Sequence, residues 1–240
     1  MAKFHEEWIV DPHGPIERVA TGLFTVAGEI MMPLGRFPRR MTIAALRRGR
    51  LAIWSAIPLR DDAMLALEAL GTPAFLIVPG TGHRLDVKAW KHRYPEARVV
   101  CPPGARKAVE EVLPVDAVTD ILDDPDVRLE TVAGVGEREA ALLVRRDGQL
   151  TLVVNDILAN VRHPHGLGAH VMARLLGFGV TRPRMPRIGK RMFVKDTAAL
   201  ASEFRRWARE PELARIIASH GDIIDAAPAA ALERAAQDLD

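Results

Sequence analysis

The chain has 240 residues, of which 48% are hydrophobic, and a formal net charge of +2 at pH 7. This length allows one large domain or two small ones, and the apolar content excludes an intrinsically disordered chain. The single cysteine, Cys101, excludes an internal disulfide and a cysteine-based zinc site. The charged amino terminus lacks the apolar core of a signal peptide, and no apolar run approaches the roughly 20 residues that span a bilayer. We therefore expect a cytoplasmic protein.

The first part of the chain predicts strands followed by a helix. Residues 21–27 and 40–46 have the composition of strands, and residues 51–57 return as a hairpin partner of the second. Asp61 or Asp62 then suits the cap of a helix, because a carboxylate accepts hydrogen bonds from the free amides of the first turn.

The second part predicts mostly strands. Short strands are expected at 99–101 and 121–122, and longer ones at 127–132, 140–144 and 150–155. The Asp-Gly pair between the last two is a strong hairpin signal. Strands, then alternating helices and strands, then strands again indicate two mixed sheets covered by helices.

The stretch 75–90 places a buried strand before a polar loop. Pro79-Gly80 ends the strand, because proline lacks a ladder donor and glycine admits backbone angles that other residues avoid. His83 and Asp86 follow at the carboxyl edge of the sheet, where α/β proteins build their sites. Two simpler interpretations stay open, namely that His83 faces solvent and that Asp86 caps the helix behind it.

This loop resembles the metal-binding loop of the metallo-β-lactamase superfamily, which reads Thr-His-x-His-x-Asp-His after a buried strand. Thr81 and Asp86 match that pattern, and His83 falls on a spacer position. The three histidines of the pattern are replaced by Gly82, Arg84 and Val87. The chain is more similar to an uncharacterised branch, in which a single His precedes a Trp-bearing helix and a Tyr-Pro-x-Ala segment, here residues 94–97.

Further along the chain, some of the metal-binding residues of the superfamily have a counterpart and some do not. Val135 stands where the superfamily has the histidine of a Gly-His-Thr turn. Asp156 ends a predicted strand, as the second aspartate does, and His220 stands in a Ser-His-Gly turn after a late strand. The resemblance implies an α/β (α+β) fold, a four-layer αββα sandwich, built as a single domain over residues 1–240.

The resemblance also implies a degenerate metal site. The candidate metal ligands are His83, Asp86, Asp156 and His220. Two carboxylates and one or two imidazoles could hold a single Zn²⁺, Mn²⁺ or Fe²⁺. The alternative is a pocket without metal, in which a cation offsets the two carboxylates. The candidates for that cation are Arg84, Lys88 and protonated His220.

Two hypotheses for function follow. In the first, the protein is a metal-dependent hydrolase of esters, thioesters or phosphoesters, with Asp86 and Asp156 as catalytic residues. Arg84 and His163 would then bind an anionic small-molecule substrate. In the second, the protein is a non-catalytic binding protein with a metal-free pocket. The oligomeric state stays open.

A basic run occupies residues 157–195, which contain eight basic residues and no acidic one. Such a run can bind nucleic acid, but its prolines and few aromatic residues leave no stacking platform, so we do not expect a nucleic-acid partner. We expect a solvated face that docks against the acidic carboxyl-terminal helix. Within the run, residues 167–178 predict a helix over the pocket or at an oligomer contact. After the run, Asp196 suits the cap of a helix.

Overall fold

The computed structural model describes residues 4–32, 35–163, 173–175 and 177–240. In this part of the chain the strands form two sheets. The first sheet contains β1 (Glu17–Ala20), β2 (Leu23–Met32), β3 (Gly35–Leu46), β4 (Arg50–Trp54), β5 (Thr72–Ile77) and β6 (Arg98–Val100), in that order. The second contains β7 (Val127–Thr131), β8 (Ala140–Arg146), β9 (Gln149–Val154) and β10 (Leu213–Ala218), in the order β10-β9-β8-β7.

Each sheet changes from antiparallel to parallel pairing. Strands β1 to β4 pair antiparallel, whereas β5 pairs parallel to both β4 and β6. In the second sheet β7, β8 and β9 pair antiparallel, and β10 pairs parallel to β9. Loops that leave β9 and β10 therefore start at the same edge of the second sheet.

Both predicted hairpins are confirmed. Strands β3 and β4 are joined by a short 3₁₀ turn over Arg47–Gly49. Strands β8 and β9 are joined by Asp147 and Gly148, which have φ angles of 52° and 72°. Two successive positive φ angles match the right-handed twist of the flanking strands, and Asp-Gly adopts them at low cost.

Six helices with both ends in the described ranges cover the sheets: α1 (Asp61–Leu70), α2 (Val87–Arg93), α3 (Arg106–Glu110), α4 (Arg187–Met192), α5 (Thr197–Ala208) and α6 (Pro228–Gln237). Three apolar layers hold the structure together. Between the sheets, Trp54 and Phe75 of the first pack with Leu142 of the second. Outside the first sheet Trp90 of α2 is buried, and outside the second Trp207 of α5 is buried. These layers form the predicted αββα sandwich.

Local differences from the predictions have identifiable causes. Residues 121–122 are not a strand, because the Asp120 carboxylate accepts from the amides of Leu122 and Leu129 at 2.9 and 3.0 Å. Helix α1 begins at Asp61 without a side-chain cap. Asp196 caps α5 as predicted, accepting from the Ala199 amide at 2.9 Å.

The basic run docks on the carboxyl-terminal segment as predicted. Arg182 donates to the Asp238 carboxylate at 2.8 Å, and Lys190 donates to the backbone carbonyl of the same residue at 3.0 Å. The predicted helix at 167–178 lies largely outside the described residues. No helix among the described residues has the length and apolar character needed to cross a membrane.

Candidate metal centre

Three polar side chains follow three different strands. His83 lies in the loop after β5, Asp156 follows β9, and His220 follows β10. The loop after β5 turns sharply at Gly80, whose carbonyl accepts from the His83 amide at 3.4 Å. A Cβ at Gly80 would lie 2.2 Å from Oε1 of Glu139, so only glycine fits there.

The three side chains converge on one point. Nε2 of His83 and Nε2 of His220 lie 3.2 Å apart, and Oδ1 of Asp156 lies 3.5 Å from the first and 3.2 Å from the second. The side chains are 11%, 12% and 17% exposed for His83, His220 and Asp156, respectively. Among the described residues these three form a group that could hold a metal ion.

The second nitrogen of each imidazole is fixed by a hydrogen bond. Nδ1 of His220 donates to the backbone carbonyl of Pro38 at 2.8 Å, and Nδ1 of His83 lies 2.7 Å from Oγ of Ser55. Such contacts set the ring orientation of metal-binding histidines and increase their basicity. Both Nε2 atoms are therefore held towards Asp156.

The electrostatics of the group favour a negative Asp156. Burial raises the pKa of Asp156, but the charges and hydrogen bonds of the two imidazoles outweigh it and hold that pKa below its ordinary value. Burial lowers the pKa of His83, and Asp156 offsets this only in part. Burial also lowers the pKa of His220, but Asp156 and the Pro38 carbonyl outweigh it and raise this pKa above the usual value. One carboxylate thus faces two imidazoles of different basicity.

These donors fit a small divalent ion. Ligands at about 2.0–2.1 Å from a tetrahedral zinc ion lie about 3.3 Å from one another. The three separations between the donor atoms, 3.2, 3.2 and 3.5 Å, are close to that value. Two imidazoles and one carboxylate also form the ligand set of several catalytic zinc sites, which keep a fourth position open.

No protein-family model matches the chain, and no curated protein matches it. Many solved structures do. A metallo-β-lactamase from Hirschia baltica is 11% identical, with a TM-score of 0.61 over 93% of this chain and 98% of that one. The metallo-β-lactamase DIM-1 is 13% identical, with a TM-score of 0.63 over 96% of this chain and 100% of its own. FIM-1 from Pseudomonas aeruginosa, solved in a mono-zinc form, is 12% identical, with a TM-score of 0.60 over 96% and 98%.

The chain has the metallo-β-lactamase fold. At this level of identity the likeness concerns the fold alone. Within the metallo-β-lactamase fold, Val135 stands where the resemblance implies a histidine, and it is fully buried in the core beneath α5 and α6. It cannot bind a metal, as the sequence predicts.

Asp86 is not part of the candidate metal-binding group, which among the described residues consists of His83, Asp156 and His220. The sequence predicts it beside Asp156 and His220, but its carboxylate accepts from Arg39 and lies 2.8 Å from Nδ1 of His5. It also does not cap α2 with its side chain, although it is the residue before the helix. The carboxylate therefore belongs to a buried ion pair that lines the same cavity.

The predicted substrate-binding residues also lie elsewhere. The guanidinium of Arg84 donates to the Ala108 carbonyl and to the Glu111 carboxylate, away from the candidate metal-binding group. His163 is 80% exposed and lies 3.2 Å from Asp222, at a neighbouring cavity. The predicted cation Lys88 pairs with Glu6 at the surface. The cation that offsets Asp86 is instead Arg39 from β3.

Glu139 is a site residue that the sequence does not predict. It is fully buried beneath Asp156, and its Oε2 accepts from the Asp156 amide at 3.2 Å and from the Asn155 side chain at 3.1 Å. Burial raises its pKa well above the ordinary value, and the charge of Asp156 adds to this. Its Oε1 has no hydrogen-bond partner among the described residues. Glu139 is thus a buried carboxyl group with a raised pKa that holds the backbone amide of Asp156.

The candidate metal-binding group opens into a cavity of ≈ 260 Å³. Its floor is polar and includes Ser55, Arg39 and Asp86 besides the three candidate ligands. Its walls are apolar, with contributions from Ile30, Phe37, Phe178, Pro186, Met192 and Phe193. The rings of Phe37 and Phe178 pack edge to face at 4.6 Å, and both lie beside the His220 ring. A polar centre below apolar walls is typical of a small-molecule site.

Proposed function

We propose that the protein is a hydrolase that works with one divalent metal ion held by His83, Asp156 and His220. The observation that carries the proposal is the spacing of their three donor atoms, which lie 3.2 to 3.5 Å apart in a largely buried cluster. The metallo-β-lactamase fold supports it, because FIM-1, one of the similar structures, was solved in a mono-zinc form.

When bound, such an ion supplies Lewis acidity and lowers the pKa of a coordinated water from about 15.7 to about 7. The protein's own part is to hold the three candidate ligands in position. Ser55 and the Pro38 carbonyl hold the two imidazoles in place, and Glu139 anchors the backbone of Asp156. Phe37 and Phe178 place apolar rings beside the His220 imidazole.

The charges around the cavity support one ion rather than two. A second ion would need the Asp86 carboxylate, but that carboxylate already contacts both Arg39 and His5. Arg39 is 7% exposed and carries a fixed positive charge next to the cavity. A second cation beside it would be repelled.

The cavity favours small substrates with an apolar group next to the scissile bond. Its volume of ≈ 260 Å³ is below the range of most drug-sized ligand pockets, and its walls offer aromatic and aliphatic contacts. Esters, thioesters and phosphoesters of small molecules are the substrate classes that we propose.

Metal analysis tests the proposal. Protein purified without a polyhistidine tag and supplemented with zinc, manganese or iron should bind one equivalent of one of these metals. Asp156→Ala should lose it, whereas the exposed Asp61→Asn should retain it. The loaded protein should then hydrolyse at least one substrate in an ester, thioester and phosphoester panel.

The outcomes separate the parts of the proposal. Failure to bind metal under supplementation would favour a non-catalytic binding protein with a metal-free pocket. Two equivalents would contradict the role assigned to Arg39. One equivalent without hydrolysis of any panel substrate would leave a metal-binding protein and overturn the hydrolase.

A further inference from the structure

A second cavity, of ≈ 500 Å³, adjoins the first and shares Arg39 with it. We propose that this second cavity binds the anionic group, a carboxylate or a phosphate, of a small molecule. The inference goes beyond the proposed hydrolysis and does not depend on it, because binding here requires no metal.

The main observation is a buried arginine at this cavity without an ion-pair partner. Arg40 is only 8% exposed. Its Nε and Nη2 donate to the Gly221 carbonyl at 3.2 and 3.1 Å, and its Nη1 lies 3.3 Å from Oγ1 of Thr25. No carboxylate of the described residues forms an ion pair with it, and it lines the cavity. A buried charge without a counterion is costly, so an arginine in this setting points to a ligand of opposite charge.

The pKa of Arg40 also shows the cost of burying its charge. Burial lowers this pKa below its ordinary value, and the more distant charges of Glu17 and Asp222 act only in the opposite direction. A bound anion would compensate the buried charge directly. Three of the five N–H groups of Arg40 donate to Gly221 and Thr25, which leaves one on each Nη atom to donate to a carboxylate or a phosphate.

The other charges around the cavity compensate Arg40 only in part. Arg39 is already matched by Asp11 and Asp86. Arg36 lies 3.4 Å from Glu29, and His163 lies 3.2 Å from Asp222. Both acids that line the cavity thus contact other side chains, and Asp222 acts on Arg40 without forming an ion pair with it.

Arg162 adds a second arginine without an ion pair among the described residues, at the exposed edge of this cavity. Its side chain makes no ion pair with any residue that the structure describes. Arg40 at the base and Arg162 at the edge therefore give the cavity an excess of positive charge, with one donor in a buried position and one that is accessible to an incoming ligand.

The position of the cavity connects it to the metal-binding group. Arg40 holds the carbonyl of Gly221, the residue after His220. Gly221 has a φ of 99°, and a Cβ there would lie 2.1 Å from the Asn160 carbonyl oxygen. An anion on Arg40 would thus lie behind a tightly packed turn that also positions one candidate metal ligand.

Calorimetric titration of the metal-free protein tests the inference. Chelator-treated protein is titrated separately with inorganic phosphate and with succinate at low ionic strength. We expect saturable binding of at least one of them at one site per chain. Arg40→Met should weaken it by about ten-fold or more, because a charge-assisted hydrogen bond is lost. Arg162→Glu, at an exposed position, should weaken it too. Arg98→Glu makes the same charge change at an exposed arginine outside the cavity and should leave it unchanged.

Each result decides the matter. Binding of phosphate alone assigns a phosphoryl group, binding of succinate alone assigns a carboxylate, and binding of both assigns an unselective oxyanion site. No saturable binding of either probe overturns the inference, as does an equal loss in Arg98→Glu. If Arg40→Met does not fold, an unchanged affinity in Arg162→Glu overturns it. Since no metal and no turnover enter this assay, its failure is independent of any failure of the proposed hydrolase.

Discussion

The guanidinium of Arg39 donates to the carboxylate of Asp86 in the protein interior, where the two side chains are 7% and 1% exposed. Arg39 also lies 3.1 Å from Asp11, and Asp86 lies 2.8 Å from His5. The pair connects β3, the loop after β5 and the amino-terminal segment. The positive charge of Arg39 therefore lies next to Asp86, where the sequence predicts a metal ion instead.

Removal of Arg39 should destabilise the protein strongly. Arg39→Met leaves the buried Asp86 without its main counter-charge, so we expect the free energy of unfolding to fall by about 3–5 kcal/mol in urea denaturation. Arg36→Met is a suitable control, because Arg36 is 53% exposed and its ion pair should contribute less than about 1 kcal/mol. The double variant Arg39→Met/Asp86→Asn should recover part of the loss. An equal effect of Arg39→Met and Arg36→Met would contradict this account.

Ser55 should act on metal affinity through His83. Its Oγ lies 2.7 Å from Nδ1 of His83 and fixes the imidazole, although Ser55 itself is not a candidate ligand. We expect Ser55→Ala to weaken zinc binding by about 10–100-fold, measured by competition with a chromophoric chelator. Thr151→Ala removes a similar hydroxyl from β9, outside the cavity, and serves as the control. Unchanged affinity in Ser55→Ala would show that the ring is held by other contacts.

Glu139 should make stability depend on pH. Its pKa in the folded protein is raised, so above the ordinary value of 4.5 the folded state keeps a proton that the unfolded state releases. Stability due to this group is therefore full below pH 4.5 and decreases as the pH rises towards the folded pKa, by up to about 1.4 kcal/mol per pH unit. Glu139→Gln has a neutral side chain that does not ionise in this pH range.

The measurement is the free energy of unfolding of the metal-free wild type and Glu139→Gln between pH 4.5 and pH 8. As the pH rises, the free energy of unfolding of the wild type should fall relative to that of Glu139→Gln. Glu139→Ala, which removes the acceptor of the Asp156 amide, should be less stable than Glu139→Gln by about 1–3 kcal/mol. A difference between wild type and Glu139→Gln that does not change with pH would contradict a neutral Glu139.

Cys101 should be unreactive in the folded protein. It is fully buried, and burial raises the pKa of its thiol to about 11. At pH 8 only about one molecule in a thousand then carries the reactive thiolate. We expect labelling by iodoacetamide at pH 8 to be slow in buffer and fast in concentrated urea. Rapid labelling in buffer would show that this part of the core opens.

Local patterns predict much of the fold. The Asp-Gly turn at residues 147–148 and the hairpin between β3 and β4 depend on neighbouring residues, and both are found as predicted. The convergence of His83, Asp156 and His220 depends on distant parts of the chain, and it is the resemblance to the metallo-β-lactamase superfamily that implies it. Asp156 and His220 leave the second sheet at one edge, because β9 and β10 are parallel, and His83 reaches them from the first sheet.

The partners of Asp86 could not be predicted in this way. Arg39 and Arg40 are consecutive residues of β3, and neighbouring side chains of a strand point to opposite faces. One of them would be expected to face solvent, yet they are 7% and 8% exposed. The faces of β3 are covered by loops that are distant in sequence, and local periodicity carries no information about such cover.

Glu139 illustrates the same limit. It follows Glu137 and Arg138, so its surroundings in sequence are typical of a solvated turn. It is buried because it forms an antiparallel bridge with Gly80, which is 59 positions earlier in the chain and belongs to the loop after β5. Only a three-dimensional structure brings a glycine without a side chain against this carboxyl group.

The placement of the three donors also divides the chain unequally. His83 extends from the first sheet, whereas Asp156 and His220 extend from the second. A cut in the connection between β6 and β7 would leave one donor on the amino-terminal fragment and two on the other. Neither fragment alone would carry the full set, so reassembly of the two pieces could be followed through the recovery of ion binding.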